Sequence, residues 1–408
     1  MNCRHCHAPL TRRFLDLGAA PPSNAYLSEA ALSEPETWYP LRVLYCDSCW
    51  LVQAEDYAAH DELFSADYAY FSSMSASWLT HAKLYAKAMI DRFGLTTDSQ
   101  VIEIASNDGY LLQYFRDAGI GHLGVEPTHA TAEAARKIGI ETTEAFFGRD
   151  LARQLVEQGR SAELTAANNV LAHVPDINDF VGGFAILLKQ DGVATFEFPH
   201  LLRLIRENQF DTVYHEHFSY LSLTAVDSIF RANGLSIFDV EALPTHGGSL
   251  RVFAQRSDTG QRSSTGEPEA MLADEAAGGI RDHGLYDGFQ QVAEAVKNDF
   301  LSFLLKARAE GRSVAAYGAA AKGNTMLNFA GIRPDLLPFV VDRSPMKLGR
   351  YMPGSRIPIL AEDAIRAARP DYVVILPWNI ADEIMAQLSY IRDWGGQFVT
   401  AVPKLDIR

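Results

Sequence analysis

A chain of 408 residues with 48% hydrophobic and 21% charged side chains has apolar mass for two or three separately cored domains. Its formal net charge of −15 argues against nucleic acid as a partner, and any anionic ligand must then be met by locally placed lysine, arginine or backbone amides. No run approaches the roughly 18 apolar residues of a membrane span, and no apolar leader follows Met1, so a cytoplasmic protein with no membrane partner is expected.

All four cysteines fall in the first fifty residues, as Cys3-x-x-Cys6, 39 intervening residues, and Cys46-x-x-Cys49. Two thiolates at that spacing hold one face of a tetrahedral ion and the second pair completes it. Residues 1–70 are therefore expected to form a zinc-binding domain around one structural Zn2+. Disulfides would not persist in a cytoplasmic setting, and neither pair sits in a βαβ pattern suited to redox work. Four sulfurs leave no open coordination position, so this metal is expected to hold the fold and take no part in catalysis. His5 and His7 lie near enough to compete as ligands.

Residues 72–93 carry apolar side chains at helical spacing and lead into a second domain, 71–256. Apolar strands at 101–104, 123–125, 164–167 and 193–198, with a weak one near 141–144, alternate there with helical patterns. That alternation implies a parallel sheet wound with helices on both faces. The stretch VIEIASNDGYLL at 101–112 is a strand, a small polar turn and a helix start, which leaves amides facing a ligand. Ala105, Ser106, Asn107, Asp108 and Gly109 form the turn. Glu103 at the strand end and Glu126 after the next strand add acceptors. The set suits S-adenosylmethionine, with its cationic sulfonium and amino groups and its ribose hydroxyls. It suits a dinucleotide less well, because G-x-G-x-x-G is absent. Asn168 and His173 lie at the carboxyl end of a later strand, on the binding edge of such a sheet.

Two antiparallel strands are expected over 235–256, with HGGS (246–249) between them. Residues 257–312 read as a polar linker and a helical segment. A third unit, 313–408, begins with YGAAAKGNT at 317–325, again strand, turn and helix. It is not a Walker A loop, because Lys322 precedes Gly323 and Asn324 follows it. Small residues there still let amides approach a pyrophosphate, with Lys322 adding a cation and Asp342 an acceptor for a ribose hydroxyl. Arg251 is a candidate phosphate contact.

The residues Tyr214-His215-Glu216-His217 bring three kinds of titratable group together. In an extended segment Tyr214 would share a face with Glu216, and His215 with His217; a turn would change the grouping. Histidine and tyrosine can be tuned to abstract protons near neutral pH, and a carboxylate can orient an imidazole. Tyr68 and Tyr70, at the boundary of the zinc-binding domain, could close the cleft over a ligand.

Taken in order, the C-x-x-C pairs, DYAYFSS (67–73), IEIASNDG (102–109), NVLAH (169–173), YHEHFSY (214–220), HGGSLR (246–251), YGAAAKGNT (317–325) and PWN (377–379) closely resemble the zinc-containing, S-adenosylmethionine-dependent C-methyltransferases that make branched deoxysugars. The resemblance covers almost the whole chain. It implies an α/β fold with a small N-terminal zinc-binding module, a class I (Rossmann-like) methyltransferase domain and a C-terminal second Rossmann-like domain that holds part of a nucleotide sugar. It further implies methylation at C3 of a nucleotide-linked 4-keto-6-deoxysugar, with His217 as base, Tyr214 and Glu216 beside it, and Tyr68 and His173 matching further active-site positions. Glu103, the 105–109 turn, Glu126 and Asn168 would hold the cofactor; His246, Ser249, Arg251, Lys322 and Asp342 would face the sugar nucleotide.

Three other readings stay open at this point. They are methyl transfer to oxygen or nitrogen of a small metabolite, a nicotinamide-dependent reaction on the third domain, and a zinc-stabilised binding protein. An acidic surface without coiled-coil heptads permits a monomer.

Overall fold

The computed structural model describes residues 1–57 and 71–408. The N-terminal module is an antiparallel sheet of β1 (Arg12–Ala20), β2 (Tyr39–Tyr45) and β3 (Val52–Ala54). Each C-x-x-C pair turns on a residue with positive φ just after its second cysteine, His7 and Trp50, both at 62°. The two turns close alike, His7 N–H donating to the Cys3 carbonyl (3.0 Å) and Trp50 N–H to that of Cys46 (2.9 Å). Helix Ala76–Phe93 follows the undescribed segment. Ser75 caps it by accepting from Trp78 N–H, and Gly94 ends it in the left-handed region, the usual pairing of a hydroxyl start with a glycine stop.

The central sheet contains β4 (Gln100–Ile104), β5 (Gly121–Val125), β6 (Thr142–Thr143), β7 (Ala162–Asn168) and β8 (Leu188–Pro199), all parallel. Their nearly unbroken apolar runs reflect burial on both faces by helices. A short strand, β9 (Ser219–Tyr220), leaves this domain and pairs with β3, so it completes the sheet of the N-terminal module. β10 (Leu235–Leu243) and β11 (Ser249–Arg256) form an antiparallel hairpin added beside β8. The resulting order is β10-β11-β8-β7-β4-β5-β6. Strand succession reverses at β4, which places the ligand crevice at the carboxyl ends of β4 and β7.

The third sheet runs β14-β13-β12-β15-β16-β17. Its members are β12 (Val314–Tyr317), β13 (Val340–Val341), β14 (Ile359–Leu360), β15 (Tyr372–Ile375), β16 (Gln397–Thr400) and β17 (Asp406–Ile407), parallel except for the last. Helix Phe289–Ala309, within the segment expected to link two domains, is a core element. It buries Phe289, Ala293, Val296, Phe300, Phe303, Leu304 and Ala307, and Phe289 stacks on Phe14 of the zinc-binding domain at 4.8 Å. One apolar core thus joins the N-terminal sheet, this helix and the third sheet. No helix among the described residues is long and apolar enough to cross a membrane.

Candidate active site

Cys3, Cys6, Cys46 and Cys49 converge, with all four sulfurs within 4.8 Å of one another. The Cys3–Cys49 and Cys6–Cys46 separations are both 3.5 Å. Four thiolates on a tetrahedral zinc at about 2.3 Å stand roughly 3.8 Å apart, so the set fits structural Zn2+. His5 is no competitor, because its two ring nitrogens lie at 2.9 Å and 3.1 Å from Asn178 and Ser228.

At the end of β4 the backbone is forced into the left-handed region at Ala105 (57°), Asn107 (50°) and Gly109 (80°). Two non-glycine residues so placed in one turn are strain that the surroundings must hold. Glu126 holds it by accepting Asn107 N–H (3.0 Å) and Thr128 N–H (2.9 Å). Asn107 and Asp108 in turn accept the amides of Ser72 (2.9 Å) and Ser73 (3.1 Å), which ties the entry to helix Ala76–Phe93 over the turn. The Ser106 hydroxyl, one oxygen of Asp108 and the side-chain oxygens of Asn168 and Asn169 are buried with no close partner among the described residues. Burial raises Glu103 well above the usual carboxylate range, Tyr110 opposing it, and raises Glu126 as well. Orphaned acceptors are costly unless a ligand satisfies them. A crevice rich in acceptors and carboxylates fits a cation bearing hydroxyl groups, which is the chemistry of S-adenosylmethionine.

Beside this crevice the 214–217 segment is a turn, closed by His217 N–H donating to the Tyr214 carbonyl at 2.9 Å. The extended pairing is therefore replaced: Tyr214 meets His217, not Glu216. The Tyr214 hydroxyl lies 2.8 Å from His217 Nε2, and His217 Nδ1 lies 2.8 Å from the Thr212 carbonyl. Because a carbonyl only accepts, Nδ1 carries the proton and Nε2 the lone pair that takes the tyrosine's hydrogen. His173 Nδ1 likewise donates to the Glu216 carbonyl (2.8 Å), and its ring stands edge-on to His217 at 4.6 Å. Burial, reinforced by His173, holds His217 well below the ordinary histidine range. Glu216 accepts from Asn24 of the zinc-binding domain; burial lifts it to about 7. His215 contacts the Pro40 carbonyl and the Tyr39 ring. Tyr68 and Tyr70 lie outside the described residues.

The remaining expected contacts divide. His246 adopts φ 55° and stands 5.1 Å from the Trp78 ring. A Cβ on Gly247 would lie 2.6 Å from Trp378, so the turn is clamped between two tryptophans. Lys322 lies over Trp378 at 4.6 Å and donates to Asn379 at 2.7 Å. Arg251, by contrast, is buried and holds the fully buried Glu197 (2.5 Å) and Glu241 (3.0 Å), which leaves it ill placed to take a phosphate. Ser249 donates to the Thr245 carbonyl. Asp342 accepts Ala319 N–H and Ser344 N–H, both at 2.8 Å, so it braces its own turn. A Cβ on Gly318 would lie 2.4 Å from Pro377, and Tyr26 donates to the Ala319 carbonyl. These neighbours occupy the Ala319 amide and crowd Gly318, two of the groups expected to approach a pyrophosphate at this turn.

Sequence reasoning missed Asp211, which is buried, accepts Trp378 Nε1–H at 2.8 Å and is lifted to about 6 by burial. It also missed the pair of His81 and Glu197 (2.9 Å) under Trp78, where His81 stacks at 4.7 Å. No short motif could reveal partners more than a hundred residues apart. Asn169 was within reach, since it opens the NVLAH motif.

Residues 3–64 match a zinc binding domain family, residues 78–240 a methyltransferase domain family, and residues 244–403 the C-methyltransferase C-terminal domain family. The chain is 34% identical over 404 residues to the C-methyltransferase NovU of Streptomyces niveus, covering 98% of this chain and 95% of that protein. Among solved structures it is similar to the magnesium protoporphyrin IX methyltransferase of Synechocystis with bound S-adenosylmethionine (15% identity, 44% of this chain and 79% of that one, TM-score 0.34). It is also similar to an S-adenosylmethionine-dependent methyltransferase of Thermotoga maritima (15% identity, 46% and 96%, TM-score 0.34).

Proposed function

The chain belongs to the zinc-containing, S-adenosylmethionine-dependent C-methyltransferase family, and on that premise we propose that it methylates C3 of a nucleotide-linked 4-keto-6-deoxysugar through an enolate. The observation that carries this reading is the hydrogen-bonded pair of Tyr214 and His217 beside a crevice of buried acceptors that lack close partners among the described residues. A carbon nucleophile needs a base at the C–H and a donor at the neighbouring carbonyl oxygen, and the pair supplies one of each.

The Thr212 carbonyl fixes the tautomer of His217, so Nε2 is the basic atom. A ketone oxygen entering the cleft would draw the Tyr214 hydroxyl away from Nε2. The same movement frees the base and places a donor on the oxygen where charge develops. His173 is the weaker donor, because its proton is already given to the Glu216 carbonyl. Glu103, Ser106, Asp108 and Asn168, with Glu126 bracing the turn, would hold the cofactor; Ala105, Asn107 and Gly109 give the backbone its shape. Bound S-adenosylmethionine supplies an electrophilic methyl carbon. His246 and Lys322 face the sugar side, whereas Arg251, Ser249 and Asp342 serve the frame. Glu216 joins the loop to the zinc-binding domain.

The test is incubation with a panel of nucleotide-linked 4-keto-6-deoxysugars and methyl-labelled cofactor, followed by location of the label. Label on C3 is the expected result. No labelled product across the panel, or label on a heteroatom, would overturn the reading.

A further inference from the structure

We propose that Lys322, contributed by the C-terminal domain, is a catalytic residue that stabilises the negative charge developing on the sugar's C4 oxygen as the C3 proton leaves. The proposal rests on the substrate reading given above. Lys322 stands in the first turn of helix Ala321–Phe329 and is only half-buried. An ammonium has three N–H donors. One is held by Asn379, the single hydrogen-bond partner of Lys322 among the described residues, while the indole face of Trp378 lies 4.6 Å below the charge.

Two other cations of limited exposure near the domain contacts are capped by acids. Arg251 has two carboxylates, and Lys347 has Asp342 at 3.7 Å and the Ala319 carbonyl at 2.7 Å. Lys322 has no carboxylate within ion-pairing distance among the described residues. The acid nearest in influence, Asp211, already accepts from Trp378. Asp211 thus balances the charge without consuming its donors. Asp211 also precedes Thr212, whose carbonyl orients His217, so the cation and the base are fixed on one joint between domains.

The field of Lys322 reaches both His217 and His246 and, after burial, helps hold each imidazole neutral. Geometry gives the same placement: Thr325, on the same helix, donates to the Val213 carbonyl next to Tyr214 at 2.8 Å, and Trp378 beneath the ammonium abuts Gly247, the neighbour of His246. A phosphate reading of Lys322 is less apt. A diphosphate would need the amides of the Gly318–Ala321 turn, and Asp342 occupies the Ala319 amide while Pro377 crowds Gly318. In the step assigned, the C3–H electron pair becomes the C3–C4 π bond, the carbonyl π pair moves onto O4, and His217 takes the proton. Lys322 stays protonated throughout and donates to O4 together with Tyr214.

The experiment uses the full-length, zinc-loaded enzyme and the variants K322M and K322R. Exchange of the C3 hydrogen for deuterium is followed on a nucleotide-linked 4-keto-6-deoxysugar at saturation, with S-adenosylhomocysteine bound. For K322M we expect exchange and methylation to fall roughly 10²–10³-fold, with the sugar KM changed less than about threefold. The acid limb of its pH profile should move upward, since His217 loses a repelling charge. K322R should be intermediate. Wild-type exchange in K322M at saturation, with KM raised tenfold or more, would show a phosphate contact and overturn the assignment. A loss in K322M accompanied by weakened cofactor binding, and not relieved in K322R, would show a frame residue and also overturn it. Absence of exchange in the wild type would overturn the substrate reading and this assignment together.

Discussion

At the residue scale, the proposed chemistry turns on which atom of His217 carries the lone pair. The Thr212 carbonyl settles this, because it can only accept, and the Tyr214 hydroxyl then donates to Nε2. Burial and the neighbouring His173 keep the ring neutral well below pH 6.5. A base is active when neutral, so kcat/KM should rise only on an acid limb lying below pH 6.5 and stay flat through neutrality; a limb centred above 6.5 would contradict the assignment. H217N should lose about 10²–10⁴ in kcat, and Y214F about 10²–10³ if the hydroxyl meets the enolate oxygen. Equal C3 exchange in Y214F and wild type would remove the tyrosine from the first step. Glu126 makes a second test. It accepts two amides that keep the strained 105–109 turn in place. E126A should therefore weaken S-adenosylmethionine binding by about 1.5–3 kcal/mol, a ten- to hundredfold rise in Kd by calorimetry, and unchanged affinity would detach the turn from the cofactor. Much of this was readable in SNDG, which closes a strand, and in YHEH, where unusual polar residues cluster in one short segment. What could not be read was the grouping, because one backbone hydrogen bond, His217 N–H to the Tyr214 carbonyl, decides between alternate-residue and i,i+3 pairing.

At the element scale, the strands of the central sheet were visible as apolar runs between helical patterns, and the C-x-x-C pairs announced a metal. The role of β9 was not visible. Two residues, Ser219 and Tyr220, leave the methyltransferase domain and pair with Gln53 and Val52. Such a strand has no periodicity to detect, and its partner lies more than 160 residues away. Its consequence is that the segment carrying His217 runs straight into the sheet that the zinc site supports, with Ala54 N–H donating to the Phe218 carbonyl at 3.0 Å. Sequence reasoning places the metal remote from chemistry, so that chelation would harm folding more than turnover. The pairing of β3 with β9 changes that expectation. Metal analysis should give about one zinc per chain. Chelation, or C46S, should lower kcat in step with zinc content, even where the methyltransferase domain still binds S-adenosylmethionine. Full turnover in zinc-free, folded protein would show that β9 needs no metal-supported partner.

At the scale of the whole molecule, the three domains meet on buried carboxyl groups. Glu216 is 1% exposed, accepts from Asn24 on one oxygen and has no close partner on the other among the described residues. Asp211 is buried at the contact with Trp378. Burial raises both, Glu216 to about 7 and Asp211 to about 6, and it raises Glu103 and Glu126 in the cofactor crevice too. A carboxyl group whose pKa is higher folded than unfolded binds more protons in the native state between the two values. The unfolding free energy must then fall as pH rises through that window. For Glu216 the window runs from its ordinary 4.5 to about 7, and the penalty is complete above it. These groups were legible only as charges in the sequence, because their cost depends on which surfaces close over them. E216Q keeps an acceptor for Asn24 and removes the ionisation. In zinc-loaded protein without other ligands it should be more stable than wild type at pH 8 by about 1–3 kcal/mol. It should gain nothing near pH 4.5, as read by urea unfolding at both pH values. A constant difference between the two proteins across that range would show that Glu216 is not protonated on folding. A gain at pH 8 alone, accompanied by reduced turnover, would mean that the junction gives up stability at neutral pH to keep an ionisable group next to His217.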